Sequence, residues 1–278
     1  MNLGVLAHLL GKQPAAELAK TVSAHGFSYV QLALAKALTD VDSANGKLSP
    51  GLGNWIAEQF DRQGVRIAVL GCYINPIHPD KDVRRAELDR FKEHIKYARD
   101  FGCSMVATET GSLTTYQDTH PGDYEEVAYR ILKESVEELT EEAEKWGVNV
   151  AIEPVAVHTL HTPAHMVSLF DEIPSSNLGM LFDPCNLMKL EYEKDQEQFL
   201  RDVFEQLYSR MIVIHAKDFY FENGQKLETV AGRGALNYPL FFQLLKQYKP
   251  HIHISLEGIK AEDAKEAADF LRQTWSNS

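Results

Sequence analysis

The chain predicts a single (β/α)8 barrel, and three observations carry the prediction. Apolar runs of strand length alternate with amphipathic stretches of helical length along all 278 residues. Eight such pairs can be counted, and strand alternating with helix means βα units and a parallel sheet. Glycines stand where helices should stop, at Gly26, Gly64, Gly102 and Gly147, each just ahead of the next apolar run. The length also fits, because barrels of this class commonly run to about 250 residues. Periodicity alone is served as well by an open doubly wound sheet; the repetition of eight units points to closure.

Strands are expected at 3–10, 29–34, 66–72, 105–108, 149–153, 178–182, 211–214 and 251–256. Most are short continuous apolar runs, the pattern of parallel strands buried on both faces. The clearest helix is 83–101, in which Leu88, Phe91, Ile95 and Ala98 recur at spacings of three and four. A second, 123–146, carries Ile131, Val136, Leu139 and Ala143 on one face. No stretch is of low complexity or reads as a linker, so residues 1–278 are expected to form one domain.

Hydrophobic residues make up 44% and charged residues 24% of the chain, an ordinary globular balance with enough apolar material for a full core. The formal net charge of −12 repels phosphate backbones and argues against nucleic acid as a partner. No apolar run approaches the ~18–20 residues that span a bilayer. The apolar stretch 3–10 has neither a basic leader nor a small-residue cleavage site, so it reads as a first strand and not a signal. Cys72, Cys103 and Cys185 are widely spaced and odd in number, as expected of reduced, buried thiols in a cytoplasmic protein.

In such barrels the active site lies at the carboxyl ends of the strands. Strand five there reads Ile152-Glu153-Pro154, strand six Phe182-Asp183-Pro184, strand seven Ile214-His215-Ala216-Lys217-Asp218, and strand eight Leu256-Glu257-Gly258. One acid in such a place reads most simply as a helix N-cap. Four consecutive strands ending in metal-capable residues read differently. Barrel closure would aim three carboxylates and an imidazole at one spot, where buried anions repel unless a cation joins them. Glu153, Asp183, His215 and Glu257 are therefore expected to hold one divalent ion. The oxygen-rich set suits Mn²⁺ or Mg²⁺ and tolerates Co²⁺ or Zn²⁺.

These residues, with Pro184-Cys185-Asn186-Leu187 and Gly232-Arg233-Gly234, carry a resemblance over essentially the whole chain. The chain is similar to the xylose isomerase-like TIM-barrel superfamily, in particular its sugar and sugar-phosphate isomerase/epimerase branch. That branch includes ketose 3-epimerases, hydroxypyruvate isomerases and inosose dehydratases. The resemblance implies a small carbohydrate substrate, the same four metal ligands, Glu153 and Glu257 as the acid/base pair, and Arg233 as a substrate contact. Exposed barrel helices in that family often support dimers or tetramers. Several of its epimerases carry His three residues after the strand-six Asp; here Asn186 can hydrogen-bond a hydroxyl but cannot carry a proton.

A carbonyl next to such an ion loses its α-proton readily, giving an enediolate. Return of a proton to the opposite face is epimerisation, return to the neighbouring carbon is isomerisation, and loss of a β-hydroxyl is dehydration. Glu109 and Lys217 are further candidates for substrate contact, while Gln31, Asn75 and His8 read as packing or pocket wall, and His158 and His161 as solvated loop residues. Asp218 is a candidate to orient His215, since ligating imidazoles usually donate their other N–H to a fixed acceptor. The stretch 219–227 alternates around Asn223-Gly224, a two-residue hairpin signal, and is expected to rise over the mouth as a flap. Two rival readings stand: an apurinic endonuclease-like nuclease, whose extra histidines are missing at Asn186, Gly71 and Cys72, and a non-catalytic sugar-binding barrel.

Overall fold

A computed structural model describes residues 1–278. Eight parallel strands close into a barrel: β1 (Asn2–Leu6), β2 (Tyr29–Leu32), β3 (Arg66–Gly71), β4 (Met105–Glu109), β5 (Asn149–Glu153), β6 (Leu178–Phe182), β7 (Met211–Ala216) and β10 (His253–Leu256). Two further strands, β8 (Asp218–Glu222) and β9 (Gln225–Thr229), pair antiparallel as a hairpin directly after β7. Around the wall the order is β1-β10-β7-β6-β5-β4-β3-β2, so the closing contact is between the first and last barrel strands.

Successive strand residues point to opposite faces. That period of two separates two cores. The larger lies between the wall and the helices; Val69, Ala107, Ala151, Leu181 and Val213 form a smaller one inside the barrel. Stepping two residues on from these inward positions reaches Gly71, Glu109, Glu153, Asp183 and His215. Parallel register keeps them together, because Glu109 stands beside Glu153 and Phe182 beside Ile214. An apolar plug thus lies below and a polar layer above it at the carboxyl ends.

Several expected boundaries shift. The run 3–10 is not all strand: β1 ends at Leu6 and the chain turns into a 3-10 helix, Ala7–Leu10. Ala7 and Leu10 are buried there, and a short apolar run cannot by itself distinguish strand from buried helical turn. β4 and β7 run further than expected, so Glu109 and His215 lie within strands. The helix expected at 83–101 is α-helical over Lys81–Tyr97 and tightens to 3-10 over Ala98–Phe101. Tyr124–Trp146 buries Val127, Leu132, Val136, Leu139 and Ala143, with Ile131 only partly covered. Gly26, Gly64, Gly102 and Gly147 all have positive φ, the left-handed stop expected of them.

Candidate metal centre

Four strand ends converge. One ligand atom from each of Glu153, Asp183, His215 and Glu257 lies within 4.8 Å of the others. Glu153, Asp183 and His215 are buried in the polar layer. Register places Ser255, not Glu257, beside His215. Glu257 therefore sits one step higher, which is why its side chain alone keeps 24% exposure.

Each side chain is held from behind. Asp183 caps the short helix Pro184–Leu187, its Oδ1 accepting the backbone N–H of Cys185 at 2.8 Å and of Asn186 at 3.3 Å. The Asn186 amide donates to Glu153 Oε1 at 2.6 Å. His215 Nε2 lies 3.0 Å from Gln31 Oε1. What remains faces inward. Asp183 Oδ2, His215 Nδ1 and Glu257 Oε2 are buried without a hydrogen-bond partner. His215 Nδ1 lies 2.9 Å from Glu257 Oε2 and 3.3 Å from Glu153 Oε1 without an aligned hydrogen bond to either. Atoms about 2.1 Å from a common ion stand roughly 3.0–3.4 Å apart at octahedral or tetrahedral angles, so these spacings fit a dication.

The charges point the same way. Burial pushes the Asp183 carboxyl up to about 7, with Glu257 and Glu153 adding to the rise. At Glu257 burial opposes ionisation, yet His215 and Lys217 hold the carboxyl down at about 2. Burial would lower the His215 pKa, but Glu153 and Glu257 drive it well above the ordinary imidazole range. Three anionic side chains share a space that protein cations only partly neutralise. A bound divalent ion would relieve that repulsion.

The other expected residues divide. Lys217 is buried at the site, its Nζ 3.5 Å from Asp183, 3.7 Å from Glu257 and 3.3 Å from Glu228. Glu109 lies at the rim, 3.7 Å from His158 Nδ1. Burial, then Glu153 and Glu257, raise its carboxyl pKa. Arg233 is elsewhere: its guanidinium is bound to Asp263 at 2.8 Å and Glu266 at 2.6 Å, and it touches none of the four. The carboxylates following β10 are nearer and form a double pair with it at the surface, Asp263 half-buried and Glu266 exposed. Asp218 does not orient His215; its carboxylate accepts the backbone N–H groups of Phe219, Leu236 and Gly232 at 2.9–3.0 Å and so folds the loop after the hairpin. Asn75 is a turn residue, accepting from the backbone of Ile77. His158 and His161 are half-buried, not solvated, and His161 packs edge-on against His165.

A family model described as the xylose isomerase-like TIM barrel matches residues 19–274. The chain belongs to the xylose isomerase-like TIM-barrel family. No curated protein matches it in a sequence comparison. Among solved structures it is similar to a D-tagatose 3-epimerase-like protein, at 20% identity and TM-score 0.78, covering 100% of this chain and 98% of that one. The IOLI protein with a binding zinc atom is similar at 17% identity and TM-score 0.75, with 100% and 97% covered. A D-psicose 3-epimerase in the presence of D-fructose is similar at 16% identity and TM-score 0.72, with 99% of each chain covered. At such identities these likenesses establish the fold.

In this xylose isomerase-like chain Tyr73 and Lys36 escaped the sequence reading, while Gln31 and His8, read there as packing or pocket wall, stand at the site. Gln31 fills the role expected of Asp218. Tyr73 and Lys36 close the side of the mouth next to Gln31, with the Lys36 ammonium 3.9 Å above the Tyr73 ring. His8, on the turn after β1, is close enough to Lys36, Glu257 and His215 to feel their charges. The missing signal was simple: strands two and three end in uncharged residues, which attract no attention beside acids.

Proposed function

We propose that the chain is a divalent-metal-dependent sugar or sugar-phosphate isomerase/epimerase that moves a proton next to a substrate carbonyl. The observation that carries this reading is the placement of two glutamates, Glu153 and Glu257, at 3.3 and 2.9 Å from His215 Nδ1 within one largely buried four-residue set. A dication held there would polarise the carbonyl and stabilise the negative charge that grows on its oxygen as the α-proton leaves. Glu153 takes that proton, and Asn186, donating to Oε1, leaves Oε2 as the freer base. Glu257 returns a proton from the other side in epimerisation. Lys217, buried among Asp183, Glu228 and Glu257, supplies a fixed positive charge near the developing oxyanion. Any contact with Arg233 requires that side chain to leave Asp263 and Glu266.

Mn²⁺ is the ion we assign, for its match to three oxygens and one nitrogen; Mg²⁺, Co²⁺ and Zn²⁺ are the alternatives to titrate. We assign small carbohydrates as the partners. The related solved epimerases support that class.

Exchange of a ketose α-proton with D₂O, followed by NMR over a panel of ketoses, tests the step shared by isomerase, epimerase and dehydratase. Metal-loaded protein should exchange, and the products then separate the three. Glu153→Gln and Glu257→Gln should each lose about 100-fold or more, the usual worth of a general acid or base. No exchange over the whole panel would overturn the reading and leave a non-catalytic barrel.

A further inference from the structure

We propose that Tyr73 is a substrate-contacting hydroxyl of this site, and that Gln31 orients both Tyr73 and His215 with the two ends of one amide. The Tyr73 half rests on the isomerase/epimerase reading; the Gln31–His215 half rests on metal binding alone.

Gln31 is 1% exposed inside the barrel. A buried amide must use its polar atoms or pay for their desolvation. Its register explains its aim: the pairing of β2 with β3 shifts between Val30 and Gln31, leaving Gln31 opposite the inward Val69. Such irregularities redirect a side chain next to a site. β2 and β7 are separated along the wall by β1 and β10, so the amide reaches across the lumen to His215. Its Oε1 meets His215 Nε2 at 3.0 Å, and its Nε2 donates to Tyr73 Oη at 3.1 Å.

The two contacts are logically linked. A carbonyl oxygen only accepts, so His215 Nε2 carries hydrogen and Nδ1 is the atom offered to an ion. That orientation turns the NH₂ end toward Tyr73, whose hydroxyl then accepts. The phenol makes no hydrogen bond as donor within the protein, and its proton is left for the pocket. Reversing the amide would consume the Tyr73 proton and place hydrogen on Nδ1 against the ligand set. One orientation serves both needs.

The phenol is built in. Lys36 covers its ring, Arg90 donates to its backbone carbonyl at 2.7 Å, and a Cβ on Gly71 would stand 3.2 Å from its Cε2. Burial, with Glu153, Glu257 and Glu109 nearby, holds its pKa above the ordinary tyrosine range, so it stays a donor. Chemically, carboxylates dominate the pocket. Glu109, Glu153, Asp183 and Glu257 all accept, which suits sugar hydroxyls but repels a carbonyl or alkoxide oxygen. Tyr73 adds a neutral donor, beside the Lys217 ammonium, for an accepting substrate oxygen.

Three single variants, one double variant and two measurements test this: Mn²⁺ affinity by calorimetry, and kcat/KM (or ketose affinity) on the metal-loaded protein. Gln31→Leu should weaken Mn²⁺ binding about 10- to 100-fold, as loss of a ligand's outer partner does. Tyr73→Phe should leave Mn²⁺ affinity within about twofold and lower kcat/KM about 10- to 100-fold. Gln31→Glu keeps an acceptor for His215, so Mn²⁺ affinity should not fall. Its second oxygen captures the Tyr73 proton, so kcat/KM should fall as in Tyr73→Phe, with no further loss in the double variant. Unchanged kcat/KM in Tyr73→Phe, or a loss of Mn²⁺ affinity there equal to that of Gln31→Leu, overturns the Tyr73 half. Unchanged Mn²⁺ affinity in a folded Gln31→Leu overturns the other. If no ketose binds or exchanges at all, the functional reading and the Tyr73 half fall together, and the calorimetry still decides Gln31.

Discussion

Asn186 joins two of the four converging residues through its backbone and its short side chain. Its backbone N–H donates to Asp183 Oδ1 while its amide donates to Glu153 Oε1. Replacing it with Leu keeps the backbone bond and deletes the amide, leaving Glu153 free to turn. We expect Asn186→Leu to lower turnover about 10-fold or more and to weaken metal binding less, since the ligand atoms stay and only the orientation of one loosens. Parallel kinetics and calorimetry would reveal the split; equal losses in both would mean that Asn186 merely supports the fold. The Asn186 amide, expected to contact substrate, donates to Glu153 Oε1 in the structure.

Among the elements, the hairpin β8–β9 and the helix pair on the opposite flank show how secondary structure meets the site. Asn223 and Gly224 both have positive φ, the turn that matches strand twist. The hairpin is fastened to the site by Lys226, which donates to the backbone carbonyl of Cys185 at 2.7 Å, and by Glu228, 3.3 Å from Lys217. Lys226→Met should speed amide hydrogen exchange in β8 and β9 while leaving β5 and β6 protected; equal protection in the variant would show the hairpin to be held by packing alone. On the helical side, Lys81–Tyr97 and Tyr124–Trp146 are bridged where Glu138 meets Arg85 and Lys92. Hydrogen bonds from Arg85, then those from Lys92, hold the Glu138 carboxyl at about 2 against burial. A depressed carboxylate stabilises the fold above its unfolded pKa, near 4.5, and loses that contribution as pH falls toward about 2. Glu138→Gln should therefore be less stable near neutrality, with the gap closing through that window. The side chains are part-exposed and screened, so the gap should be only about 1 kcal/mol and shrink with salt. Urea unfolding at several pH values would show it.

For the whole molecule, the barrel carries an electrostatic burden at one end. Ligand binding only to the native state stabilises by about 2.7 kcal/mol at 100 times the dissociation constant. For a chain of this size each kcal/mol moves Tm by about 2–4 °C. Adding Mn²⁺ should therefore raise Tm by about 5–10 °C, and a chelator should reverse the rise. A scan that shows no shift at saturating metal would mean that the four residues do not bind the ion in the folded barrel.

The alternation of strand and helix, and the four metal-capable residues that converge, were legible because both depend on local pattern. An apolar run followed by an acid or histidine is visible in a few residues, and barrel closure brings all strand ends to one place. The limits at 3–10 and 251–256 were not legible, because apolar character is shared by strand and buried turn. Nor were the partners. Gln31 and His215 meet across 184 residues of sequence, and Arg233 finds Asp263 and Glu266 on a neighbouring turn of the barrel. Such choices are made by distance in the lumen and along the rim. Local pattern placed each of the four residues at the end of a strand or just past it; only closure of the barrel decided that His215 would lean on Gln31 and not on Asp218, three residues away.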